Sequence, residues 1–148
     1  MTLKLELIAL VPNGTENTND YTVYFLEKEK SVVVPIGVSR HDAHEILLIT
    51  NPYTTKQPNI HSSLIHLVTF CNGQIENIEF YKYADGLFYT YLNLKIEGKE
   101  IQLNIKPTDA INIARRCNKP ILIDEEVLDI SGIKITAETL REALEYYS

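Results

Sequence analysis

What this chain has little of narrows the reading first. Two cysteines in 148 residues, Cys71 and Cys117, cannot build a disulfide scaffold. Each falls on the apolar side of a predicted helix, so both read as buried, reduced thiols. Positive charge is in deficit, with 14 Lys and Arg against 20 Asp and Glu and a net charge of −6. Sequence-independent binding to nucleic acid depends on neutralising phosphates, so the overall balance argues against it unless a groove is locally basic. Long apolar runs are missing as well. The longest early one, Leu7 to Val11, is bounded by Glu6 and Pro12 and is too short for a signal-peptide core or a membrane span. A cytoplasmic protein without a membrane partner is expected. The chain has no glycine-rich phosphate loop, no nucleophile elbow and no Ser/His/Asp arrangement. Repeats, low-complexity tracts and internal linkers are equally absent.

What is there describes one globular domain, with 45% hydrophobic and 23% charged residues. Leu3, Leu5, Leu7, Ala9 and Val11 alternate into a half-buried strand. A polar loop follows from Pro12 to Asp20. Tyr21 to Glu27 and Ser31 to Ile36 flank Lys28-Glu29-Lys30 as a hairpin. Ser39 caps a helix whose inner face is Ala43, Ile46 and Leu47, ended by Asn51-Pro52. Beyond the polar linker Thr54 to Asn59, a second helix places His61, Leu64, Ile65 and Val68 on one stripe and stops at Asn72-Gly73. Ile75 to Tyr83 and Leu87 to Ile96 form a hairpin around Ala84-Asp85-Gly86, and Glu97-Gly98-Lys99 turns into Glu100 to Ile105. Ile133 to Ile135 pairs briefly, and Thr136 caps a last helix carrying Leu140, Ala143, Leu144 and Tyr147. Such an order predicts an α+β fold, a mainly antiparallel sheet with helices on one face. Residues 1–135 make the domain, and 136–148 a C-terminal helix packed on it. Phe80, Tyr81, Tyr83, Phe88, Tyr89 and Tyr91 fall on both faces of the long hairpin. That is more aromatic surface than one side buries, so a homodimer or small homo-oligomer is expected.

The stretch from Asn104 to Asp129 organises the rest. Pro107 suits a first helical turn, and Thr108 and Asp109 offer oxygens to its free N–H groups. Ala110, Ile113, Ala114 and Cys117 make the apolar stripe that packs on the sheet, with Asp109, Asn112 and Arg116 opposite. Lys119-Pro120 stops the helix, and Ile121-Leu122-Ile123 is a short buried strand running into Asp124-Glu125-Glu126. Asp109, Glu125 and Glu126 form the acidic set able to hold Mg²⁺ or Mn²⁺, since helix start and strand end can meet at one edge of a sheet. The alternative is that Asp109 supports a helix start while the two glutamates begin a helical turn. Lys106, Arg115, Arg116 and Lys119 are the one basic concentration, either a phosphate-facing patch or a complement to the helix dipole. His61 is either a hydrogen-bonded core group or an acid that protonates a leaving oxygen or holds a phosphate. His41, His44 and Glu45 share a helix face that is either a metal site or, without further assumption, a solvated polar face, and Asp85 reads as a turn residue.

Several motifs in order carry a resemblance to a known family. KPTDAINIARR followed by KPILIDEEVLD looks like the signature of the bifunctional nuclease domain family, bacterial and plant domains credited with DNase and RNase activity. Asp85-Gly86-Leu87-Phe88-Tyr89 resembles the family's Asp-Gly-Thr-Phe-Tyr. Pro35-Ile36 with Asp42-Ala43 and Ile46 resembles its Pro-Ile and Glu-Ala pattern, in which Asp42 replaces Glu. Pro58 and His61 fit its Arg-Pro-x-Thr-His-Asp, although this chain has Gln57 and Ser62 where the family has Arg and Asp. The resemblance implies hydrolysis of DNA or RNA phosphodiester bonds, with a divalent metal as cofactor. Loss of that Arg and Asp supports the alternative of a non-catalytic binding or regulatory module with the family fold.

Overall fold

Alternation decides the first half of the chain. In the computed structural model, which describes residues 1–13, 20–49, 59–138 and 141, β1 (Thr2–Pro12) buries Leu3 and Leu5 and turns Lys4 and Glu6 outward. It pairs antiparallel with β2 (Tyr21–Glu27), which pairs antiparallel with β3 (Val32–Val38). Val23, Phe25, Val34 and Ile36 face inward from these strands. The β2–β3 turn is held by a carboxylate: Glu27 accepts from the backbone N–H groups of Glu29 and Lys30 at 2.9 and 2.7 Å.

Two helices follow, α1 (Arg40–Ile49) and α2 (Ile60–Phe70). Ser39 Oγ accepts from the Asp42 N–H at 3.1 Å. Asn59 and Ser62 close a reciprocal capping box at the start of α2. Next come β4 (Gly73–Ala84), β5 (Leu87–Ile96) and β6 (Lys99–Ile105), an antiparallel run. Its first turn places Asp85 and Gly86 at φ 53° and 78°, the left-handed pair that a two-residue hairpin turn requires. Asp85 is therefore a turn residue, as expected. α3 (Pro107–Cys117) leads to β7 (Ile121–Asp124), α4 (Glu125–Ser131) and β8 (Ile133–Lys134).

The strands form an eight-stranded sheet in the order β6-β5-β4-β7-β1-β2-β3-β8. Only the β4–β7 pair is parallel among the described residues. The α+β, mainly antiparallel reading holds. Phe25 and Phe80 touch, with ring centroids 6.2 Å apart, although two strands lie between theirs. Three flat inter-strand spacings would separate them by about 14 Å. The sheet is therefore strongly curled.

α3 is more deeply buried than its stripe predicts. Ala110, Ile113 and Ala114 pack inward as expected, but Ile111 and Asn112 are also buried. The reason is a second layer: α1 and α2 pack on α3, and α3 packs on β4 and β5. Asn112 is thus not on a solvated face; it accepts from Arg116 Nε at 2.6 Å. Two other expectations are corrected. No side chain caps α3, so Thr108 and Asp109 do not fill that role, and the helix closes on Asn118 in the left-handed conformation. Cys71 is exposed because α2 ends there, projecting Leu67 and Phe70 into solvent. Cys117 is half-buried, and burial pushes its thiol pKa up against the opposing pull of Lys119.

The aromatics of the long hairpin sort by face. Phe80, Tyr83 and Phe88 pack together on the core side. Tyr81, Tyr89 and Tyr91 cluster on the other face. No described helix is long and apolar enough to cross a membrane. The loop at 14–19, Asn51-Pro52, most of the Thr54 to Asn59 linker and the body of the C-terminal helix (Leu140, Ala143, Leu144, Tyr147) lie outside the described residues.

Candidate active site at the start of the central helix

β6 delivers the chain to Pro107 at one end of the sheet, and there α3 meets the starts of both α1 and α2. His61, the second residue of α2, reaches Asp109 in the first turn of α3, with Nε2 2.9 Å from Oδ1. The histidine side chain is only 11% exposed, whereas the aspartate is 43% exposed. His61 Nδ1 is buried without a hydrogen-bond partner. The pair is thus asymmetric: a held imidazole behind a carboxylate whose second oxygen remains for another partner.

That carboxylate lines a cavity of about 320 Å³ shared with His41, Asp42, Glu45, Asn59 and Asn112. His41 and Glu45 were expected on a merely solvated face; they form its rim. Asp42 connects this cavity to a second, of about 560 Å³, bounded by Pro35, Tyr83, Leu87, Phe88 and Lys106. Lys106 Nζ donates to Asp42 Oδ2 at 2.9 Å. Burial alone would raise the Asp42 pKa, but hydrogen bonds from Lys106 and Ser39 and the nearby ammonium outweigh it, holding the carboxyl below its usual range. Sequence reasoning did not place Asp42 in a site. The signal was available in its match to the family's Glu-Ala motif, in which Asp42 stands in place of Glu.

The remaining candidates are dispersed. Glu125 begins α4 and pairs with Lys30 Nζ at 2.5 Å, while Asp129 lies 3.4 Å from the same ammonium. Glu126 donates its backbone N–H to Asp124, the cap of α4. Neither glutamate lines the cavity at Asp109. Among the described residues no three His, Cys, Asp or Glu side chains are grouped to hold a metal ion. The set Asp109, Glu125 and Glu126 is therefore not gathered into one cage. Helix start and strand end do share an end of the sheet, but β6 and β7 are separated by β5 and β4. The basic concentration is split too. Lys106 sits at the start of α3, whereas Arg115 and Lys119 line a separate cavity of about 610 Å³ at its far end. Eleven residues of helix put these ends about 16 Å apart.

Comparison with known proteins agrees with the convergence of the motifs. A model of the bifunctional nuclease domain matches residues 23–136. An uncharacterized protein of Mycobacterium tuberculosis (strain H37Rv) is 26% identical over 110 residues, covering 74% of this chain and 65% of that protein. Bifunctional nuclease 1 of Oryza sativa subsp. japonica is 25% identical over 121 residues, covering 80% of this chain and 37% of its own length. The chain thus matches less than two thirds of either relative.

Proposed function

This chain belongs to the bifunctional nuclease domain family, and we propose that it hydrolyses phosphodiester bonds of DNA or RNA at the Asp109 end of α3. Family membership supports a nuclease-like function in general terms. The observation that carries the specific reading is the His61–Asp109 pair on a cavity that adjoins Asp42 and Lys106. Motif residues from distant parts of the chain meet there.

In this reading Asp109 touches the substrate and His61 positions it. The His61 Nε2 contact with Oδ1 at 2.9 Å fixes the carboxylate and leaves Oδ2 for the cavity. Oδ2 takes a proton from the attacking water as the water oxygen bonds to phosphorus, the bond to the leaving oxygen breaks, and that oxygen takes up a proton from solvent water. Lys106 balances phosphate charge, and the uncapped first turn of α3 offers N–H groups suited to an anion. The donor set fits a hydrated Mg²⁺ or Mn²⁺ held by one carboxylate and substrate phosphate oxygens, not an all-protein cage. With that ion bound, Asp109 would hold it through Oδ2 in place of accepting the proton itself, and the ion would supply charge neutralisation on the phosphate and a more acidic water. Cytoplasmic residence and self-association belong to the same proposal; light scattering at micromolar concentration checks the latter.

A second reading, a binding or regulatory module without catalysis, is favoured by two details. Ser62, where the family has Asp, is engaged in the capping box of α2. Lys106 is already neutralised by Asp42. The deciding experiment is cleavage of single- and double-stranded DNA and RNA with Mg²⁺, Mn²⁺ or EDTA, using protein free of host nucleases. Cleavage lost in Asp109→Asn supports the catalytic reading. No cleavage by the wild type selects the binding module.

A further inference from the structure

We infer that the substrate strand is single-stranded and that a base beside the cleavage site stacks on Tyr89. The inference rests on the nucleic-acid reading above but concerns a different part of the surface. The cavity holding Asp109 is the first of three adjoining spaces. It shares Asp42 and Thr108 with the second, and the second shares Phe88, Lys106 and Pro107 with a third of about 340 Å³. The third is bounded by Tyr89 and Asn104, where β5 and β6 lie side by side at the start of α3. Residues shared between neighbouring spaces therefore lead from the Asp109 carboxylate, by way of Lys106, to the Tyr89 ring.

That ring is presented for contact. Tyr89 is 38% exposed on the face of the sheet opposite the core. The Lys82 ammonium lies 5.1 Å from its centroid, and Tyr81 lies 6.4 Å away, itself stacked on Tyr91 at 3.7 Å. Tyr81 donates to Asn104 Oδ1, so the Asn104 amide keeps its two N–H donors for a base edge. An aromatic held in place, a cation over it and an amide donor beside it are what base stacking uses. A duplex keeps its bases stacked internally and offers no free face to Tyr89; an unpaired base does. The acidic net charge fits this division of labour, because stacking does not depend on a broad basic surface.

The test measures binding by fluorescence anisotropy, using a labelled mixed-sequence oligonucleotide in EDTA, as single strand and as duplex. Wild type, Tyr89→Phe and Tyr89→Leu are compared, each checked for folding by its melting curve. Leucine keeps an apolar strand residue but removes the ring. Loss of one stacked base should weaken single-strand binding about tenfold or more in Tyr89→Leu, while Tyr89→Phe binds like the wild type. Equal single-strand affinity in Tyr89→Leu overturns the inference, as does tighter binding of duplex than of single strand. No binding of the single strand by the wild type overturns it too. A dimeric wild type that becomes monomeric in Tyr89→Leu with unchanged single-strand affinity assigns the ring to a second copy of this chain instead. Cleavage by the wild type is scored separately. Tyr89-dependent binding without cleavage removes the nuclease reading and leaves this inference standing; cleavage without Tyr89 dependence does the reverse.

Discussion

The two ends of α3 carry opposite chemistry although they are ten residues apart in sequence. At its start, Asp109 is fixed by His61 and faces a cavity with Asp42 and Glu45. At its end, Arg115 and Lys119 line a different cavity together with Lys4, and none of these three cations forms an ion pair among the described residues. Helix electrostatics explains the polarity, since free N–H groups favour acid at the start and free carbonyls favour base at the end. The difference teaches that a helix separates what linear sequence groups. A carboxylate and an arginine in one motif read as a single constellation, yet only the carboxylate reaches the candidate site.

The sharpest way to break this comparison is to neutralise each end in turn. Asp109→Asn should lower phosphodiester cleavage by about 10²–10⁴-fold, the range for removing a positioned proton acceptor. Arg115→Gln with Lys119→Gln should leave turnover within about threefold, since charges at a remote cavity act only through weak screened fields. Equal losses at both ends would merge them into one site. Initial rates on a fluorescent oligonucleotide, recorded beside melting temperatures, provide the readout.

Next in size is the scaffold that both ends share. Ile113, 1% exposed, packs α3 on the sheet. Ile113→Ala should cost about 2–5 kcal/mol through lost burial and an unfilled cavity. Ile133, 54% exposed on β8, should cost under about 0.5 kcal/mol when truncated likewise. Urea denaturation midpoints separate the two.

His61 is expected to matter less than the carboxylate it holds. His61→Gln should reduce cleavage about 10–100-fold, the usual cost of losing a group that orients a reacting ligand. A loss as large as that of Asp109→Asn would assign the imidazole itself to the reaction.

The smallest effect concerns acid stability. Burial pushes the Asp42 pKa up, but the Lys106 and Ser39 contacts bring it below the ordinary carboxylate range. A carboxyl with a lowered folded-state pKa contributes stability that is complete above its unfolded value, about 4. That contribution drains away as pH falls through the folded value. Lys106→Met removes the principal partner, so it should be less stable than the wild type at about pH 7, and the gap between the two should close as pH falls through the folded-state value of Asp42. Denaturation midpoints between about pH 2 and pH 7 test this.

The sequence by itself determined the elements and their inward faces. Alternation in β1, β2, β4 and β5, Pro107 at the helix start and the Asp85-Gly86 turn are local signals, because pleat, helical period and left-handed φ act over a few residues. Tertiary structure alone decided the partners. The curl that brings Phe25 to Phe80 follows from how all the strands pair. The second helical layer buries Asn112, and two intervening strands keep Glu125 from Asp109, which bonds to His61 instead. Each of these depends on residues distant in sequence brought to one place, and a periodicity read over one segment does not encode which distant segment will lie against it.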